Sequence, residues 1–211
     1  MSRHNQAWLI VLALCTACAS ADNKPLPISV TVDVFNDAGV AMAVLKSAEL
    51  EAERIFEAAH IQIRWQYCPR GQDKQETDPA CRALPAPNQL SLRIVPGSTK
   101  GNDDVFGVAF LGADGMGTYS DVFYGSVERL HSQAHSNVGR VLGHVMAHEI
   151  GHLLIGSHAH SPWGIMSAKW HDQELQRLEM GRLLFTPEQE KSIYSRLHGG
   201  SPGTATKEAD R

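Results

Sequence analysis

Asn137-Val138-Gly139-Arg140-Val141-Leu142-Gly143-His144-Val145-Met146-Ala147-His148-Glu149-Ile150-Gly151-His152-Leu153-Leu154-Ile155-Gly156 is the stretch on which the fold turns. Its apolar residues Val141, Leu142, Val145, Met146, Ile150, Leu153 and Leu154 recur at three- and four-residue steps, which is the pattern of a helix with one face in the core. Ser136 or Asn137 can cap its start, and Gly156 can end it by turning left-handed. His148 and His152 then lie one turn apart, so both imidazoles project from one face and can reach one metal ion about 2.0–2.1 Å from each nitrogen. Glu149 sits beside them, near such an ion without being a ligand.

Upstream, Ile28–Phe35 alternates Ile28, Val30, Val32 and Val34 and predicts a strand. From Met42 to Ala59, the residues Val44, Leu45, Ala48, Ala52, Ile55, Phe56 and Ala59 recur at helical spacing, with Lys46, Glu49, Glu53 and Arg54 between them. Ile61–Tyr67 alternates again. A strand, helix, strand unit of this length implies two parallel strands with a crossover helix on the sheet. Leu90–Val95, Val105–Leu111 and Thr118–Tyr124 predict three further strands, with a turn at Gly112-Ala113-Asp114-Gly115. Thr186-Pro187-Glu188-Gln189 is a capping box with proline at the first helical position, which predicts a last helix over Pro187–Leu197. The expected fold class is α/β (α+β): one mixed sheet, a crossover helix, the long helix, and a small C-terminal part after Gly156.

The 211 residues, 43% hydrophobic and 20% charged, fit one domain with an ordinary core. Arg3, the apolar run Ala7–Leu14 and Ala19-Ser20-Ala21 compose a signal peptide over residues 1–21. The apolar run is too short to span a bilayer, which takes roughly 20 residues. Cys15 and Cys18 raise a lipoprotein anchor as the lesser reading, because their preceding residues depart from such a signal. The expected destination is secreted or periplasmic, with no membrane contact after cleavage. Residues 22–198 form the expected domain, and 199–211, rich in Gly, Pro, Thr, Lys and Glu, the expected disordered tail. Cleavage removes Arg3 and no acidic residue, leaving 18 basic against 23 acidic side chains. A chain with that balance is not built to bind nucleic acid or an anionic membrane. Cys68 and Cys81 remain, and export makes a disulfide between them the expected state.

The run from His148 through His152 and Gly156 to Ser157-His158-Ala159-His160-Ser161, followed by Gly164-Ile165-Met166, resembles the metzincins. Their helix reads H-E-x-x-H-x-x-G-x-x-H and precedes a methionine turn; here Gly156 stands one residue late. The segment is also similar to bacterial secreted zincins that read HEIGHLLLG, then HS, then GIM. The resemblance implies Zn2+ held by His148, His152 and a third histidine, with Glu149 as general base and then acid in peptide-bond hydrolysis. Counting from His148 favours His158 as the third ligand, ten residues on. The His160-Ser161 pair and the late glycine favour His160, and the resemblance to the bacterial zincins selects it. Met166 is the implied methionine turn. A peptide or protein substrate would pair with a cleft-edge strand, either Thr118–Tyr124 or Val105–Leu111, and the protein would act as a monomer.

Other residues have plainer readings. His144 lies one turn before His148, but a fourth ligand would close a catalytic site, so a supporting place is expected. His131 and His135 read as a solvated segment, and Asp103, Asp104 and Asp114 as turn residues without calcium-loop spacing. Trp163 and Trp170 divide between pocket lining and core. Tyr119, Tyr124 and His171 are the candidates for stabilising a transition state. The alternative functions are a non-catalytic zincin-like binding protein and a secreted metal-binding protein that uses the many histidines between His131 and His171.

Overall fold

The computed structural model describes residues 28–69, 81, 88–97, 105–134 and 136–199. The expected signal peptide, most of the loop between the two cysteines, Asp103, Asp104, His135 and all of the expected tail beyond Gly199 lie outside the described residues.

Alternation of branched residues makes the first strand, β1 (Ile28–Asn36), and places Val30, Val32 and Val34 fully out of solvent. The helix α1 (Met42–Ala58) follows, burying Leu45, Ala48, Ala52, Ile55 and Phe56, and β2 (Ile61–Tyr67) returns parallel to β1. Next come β3 (Gln89–Val95), β4 (Gly107–Phe110) and β5 (Tyr119–Phe123). The sheet has the order β2-β1-β3-β5-β4, parallel throughout except that β4 runs antiparallel to β5. Among the described residues β4 is therefore an edge strand. The fold is α/β with one mixed five-stranded sheet, as the sequence predicts.

Two helices were not anticipated. The stretch that includes His131, read as solvated, forms α2 (Tyr124–Gln133), which directly continues β5 and takes in Tyr124 from the end of the expected strand, and α4 (Asp172–Glu179) follows the GIM segment. Each offers one apolar pair three residues apart, Val127 with Leu130 and Leu175 with Leu178, too little periodicity to announce a helix. Between them α3 (Val138–Ile155) packs on α1 and crosses β3, β4 and β5. The last helix, α5 (Pro187–His198), begins at the expected capping box, with Thr186 Nα–H donating to Gln189 Oε1 at 2.9 Å. Cys68 and Cys81 are joined by a disulfide. Among the described residues no helix is long and apolar enough to cross a membrane.

Candidate metal centre

Local chemistry sets both ends of α3. Asn137 Oδ1 accepts the backbone N–H of Arg140 at 2.7 Å, and Gly156 takes a left-handed conformation, φ 74°, with its N–H bonded to the carbonyl of His152. A side chain at Gly156 would meet the guanidinium of Arg196 from α5, which also donates to the Gly115 carbonyl. The chain therefore leaves the helix sharply and runs back under it.

His148 and His152 are 2% and 5% exposed. Each ring is oriented by a backbone carbonyl: His148 Nδ1 lies 2.7 Å from Ile165 O, and His152 Nδ1 lies 2.7 Å from Ser157 O. A carbonyl only accepts, so both Nδ1 atoms carry the proton and both Nε2 atoms present lone pairs. Those two Nε2 atoms face each other at 3.1 Å. Two opposed lone pairs at that separation repel unless a cation lies between them. A tetrahedral ion with nitrogens about 2.0–2.1 Å away would place them about 3.3 Å apart, close to the observed spacing.

His160 arrives from the returning segment. Its ring centroid lies 5.4 Å from that of His148 and 4.9 Å from that of His152, and the ligand atoms of the three residues all lie within 4.8 Å of one another. Such a set could hold a metal ion. His158 lines the same cleft, but its ring is 6.4 Å from that of His152, and it stands outside this group.

Burial holds His148 neutral, with its pKa down to about 3, and lowers His152 to about 4; His160 is lowered too, first by desolvation and then by His158. Neutral imidazole is the metal-binding form. Glu149, 2% exposed, is pushed up to about 8 by burial, with the charge of Asp121 adding to the effect. A dication beside that carboxyl acts in the opposite sense and favours its ionised form.

The residues around this group are packed closely. Met166 is buried, with Sδ 2.7 Å from where a side chain at Gly151 would begin, so it lies against the helix between the two histidines. Ser161 N–H donates to the Met166 carbonyl at 2.9 Å, closing the turn. Trp170 is core, as its second reading had it: Nε1 donates to Ile165 O, the same carbonyl that orients His148, and its ring is 4.5 Å from that of Phe106. Trp163 is half exposed. His144 is fully buried, with Nδ1 3.0 Å from the Arg140 carbonyl, and does not join the three histidines. His131 is exposed on α2, and Asp114 accepts Met116 N–H in its turn.

The cleft, a cavity of about 440 Å³, runs along β4 and includes Phe106, Gly107, Glu149, the three grouped histidines and Lys169. Of the two strands weighed as its edge, β4 lines it. Tyr119, Tyr124 and His171 do not. Tyr119 instead donates to Asp121 at 2.5 Å. Sequence reasoning missed Gly107: a side chain there would run into the Asp121 carbonyl of β5 and begin 2.7 Å from Cδ and 2.8 Å from Cγ of Glu149, so glycine is what lets both the neighbouring strand and the carboxylate lie against β4. A glycine inside the predicted strand Val105–Leu111 is the signal that could have revealed it.

No protein-family model matches the chain, and no curated protein sequence does either. Among solved structures it is similar to a zinc-dependent peptidase from Methanocorpusculum labreanum, at 16% identity and a TM-score of 0.49, covering 77% of this chain and 99% of that one. It is also similar to the archaemetzincin of Methanopyrus kandleri, at 16% identity and a TM-score of 0.46, covering 81% and 96%.

Proposed function

We propose that this chain is a secreted, zinc-dependent endopeptidase, with residues 22–198 as one catalytic domain. The observation that carries this reading is the pair of opposed Nε2 lone pairs, 3.1 Å apart, on rings whose other nitrogens are committed to carbonyls. A buried carboxylate beside them and an open edge strand along the same cleft support hydrolysis over metal storage.

In this reading His148, His152 and His160 would hold Zn2+, and Met166 packs beneath the three rings. Bound zinc would supply Lewis acidity, which makes a water more acidic and a carbonyl more electrophilic. Glu149 would act as general base toward the attacking water and then as general acid toward the departing amine. Its burial keeps bulk water from competing for that proton. An extended peptide would pair with β4, an edge strand among the described residues, which aligns its backbone with the three histidines. The disulfide and the N-terminal signal sequence support export to an oxidising compartment.

The test is a zinc determination and a peptide-library digest of the wild type beside Glu149→Ala. The variant should keep one zinc per chain and lose about 10²–10⁴-fold in turnover. Equal cleavage by both proteins would remove Glu149 from the mechanism. Several weakly held ions per chain, without cleavage, would favour the metal-binding alternative.

A further inference from the structure

The carbonyl of Ile165 takes two donors. His148 Nδ1–H reaches it at 2.7 Å and Trp170 Nε1–H at 3.2 Å. Ile165 is fully buried and Trp170 is 4% exposed, so both bonds lie away from water, where an unpaired carbonyl or indole N–H is costly. The same residue is tied on its other side, its N–H donating to the Leu184 carbonyl at 3.0 Å. Gly164 just before it stands at φ 84°, a position that gives the turn little stiffness of its own. Trp170 is itself clamped: its ring lies 4.5 Å from that of Phe106 and packs edge to face on His148 at 5.9 Å and on His144 at 6.2 Å. The indole has little room to turn, and its N–H is aimed at one oxygen.

That aim matters because the metal-free site has a competing arrangement. The Nε2 atoms of His148 and His152 are 3.1 Å apart, which is hydrogen-bond distance. If the His148 proton moved from Nδ1 to Nε2, the two rings would bond to each other, and no open pair of nitrogens would face an ion. A carbonyl fixed opposite Nδ1 disfavours that tautomer, because a bare Nδ1 would meet the oxygen lone pair to lone pair. A carbonyl able to turn away would permit it.

We propose that Trp170 is a positioning residue of the metal centre: its indole N–H holds the Ile165 carbonyl in place, and that carbonyl keeps His148 in the Nδ1–H tautomer with Nε2 open. The inference rests on the zinc reading above. Trp170 acts through His148 and has no place among the three grouped histidines. Its contribution is to the orientation of one ligand, in the way that outer hydrogen-bond partners fix the tautomer and ring of a metal-binding histidine.

The experiment reads the imidazole nitrogens of the full chain by NMR after a chelator has stripped it of metal, and then measures zinc affinity. In the wild type His148 should show the Nδ1–H tautomer alone. In Trp170→Phe, which keeps an aromatic ring and removes the N–H, His148 should show both tautomers, while His152, oriented by the Ser157 carbonyl, stays as it was. The same substitution should weaken zinc binding about tenfold or more. In a His148→Ala background it should change zinc affinity by no more than about twofold, because the residue it acts through is gone. Phe106→Leu loosens the same ring packing with the indole bond intact and should cost less than Trp170→Phe. An unchanged His148 tautomer in Trp170→Phe overturns the proposal, as does an equal loss of zinc affinity in the two backgrounds or an equal loss in Phe106→Leu. Circular dichroism checks that each variant folds. If Trp170→Phe does not fold, the metal-free wild type decides: a single Nδ1–H tautomer with a Trp170 indole N–H protected from exchange sustains the proposal, and mixed tautomers or a freely exchanging indole overturn it. If the wild type takes up no zinc, the zinc reading fails, and the tautomer comparison still decides whether Trp170 positions His148.

Discussion

His148 and His152 on α3 and His160 on the returning segment meet at a single point but are held there differently. His148 and His152 are buried, spaced by the helix itself, and each is locked by a bond from Nδ1 to a carbonyl. His160 is exposed, and among the described residues no hydrogen bond orients its ring. It is placed only by the path of its backbone. That path depends on Gly156, on the turn at Met166, and on Gln189 of α5, whose Nε2 donates to Ser161 Oγ at 3.0 Å. In the proposed zinc site the helix would supply a pre-set half-site and the loop would complete it, so the energetic weight of the three should be unequal.

Ligand removal should show this most strongly. His148→Ala should weaken zinc binding by more than about 100-fold, beyond the usual effect of losing an outer partner. His160→Ala should weaken it less, because binding in the wild type already includes the cost of ordering that residue. Competition with a chromogenic chelator measures both, and equal losses would break the comparison.

Gly107→Ala tests whether the helix alone positions Glu149. The added methyl meets the Asp121 carbonyl of β5 first and Cγ and Cδ of Glu149 next, so β4 must shift against both neighbours and kcat should fall about 10–100-fold with zinc retained. Unchanged kcat would mean that the edge strand yields at no cost.

The buried helix side should also impose a pH dependence. Burial lowers His144 to about 4, against the bond to Arg140 O and the charge of Glu51. Its unfolded form titrates near 6.5, so between about 4 and 6.5 the unfolded chain binds the extra proton. The neutral ring's contribution is full above pH 6.5 and is lost as pH falls toward 4. Metal-free wild type should therefore lose about 2 kcal/mol from this residue between pH 7.5 and pH 5, and His144→Leu should escape that part. Urea titrations at the two pH values check it; identical pH sensitivity would remove His144 as the cause.

The smallest effect belongs to the start of the same helix. Asn137→Ala should cost about 1 kcal/mol and lower Tm by about 2–4 °C, with zinc affinity little changed, because the cap lies well away from the two histidines. A large loss of affinity would show that the half-site is less rigid than its packing implies.

Residue order alone was enough for much of this molecule. The alternation in β1 and β2, the periodicity of α1 and α3, the cap at Asn137 and the box at Thr186 are local signals, because period and end chemistry act within one or two turns. The spacing of His148 and His152 is equally local. Helices α2 and α4 escaped notice because each has one short apolar pair, and contacts such as Ser126 to Val105 O make up the difference. Spacing could not choose between His158 and His160, since both follow the same glycine. The backbone path after Gly156, held by α5 and the Met166 turn, brings His160 into the group and leaves His158 on the cleft wall. Gly107 faces Glu149 only because the fold places β4 beside α3. Helical period is written into neighbouring residues, whereas a loop ligand and a cavity depend on segments far apart in the chain, and only the folded packing brings those segments together.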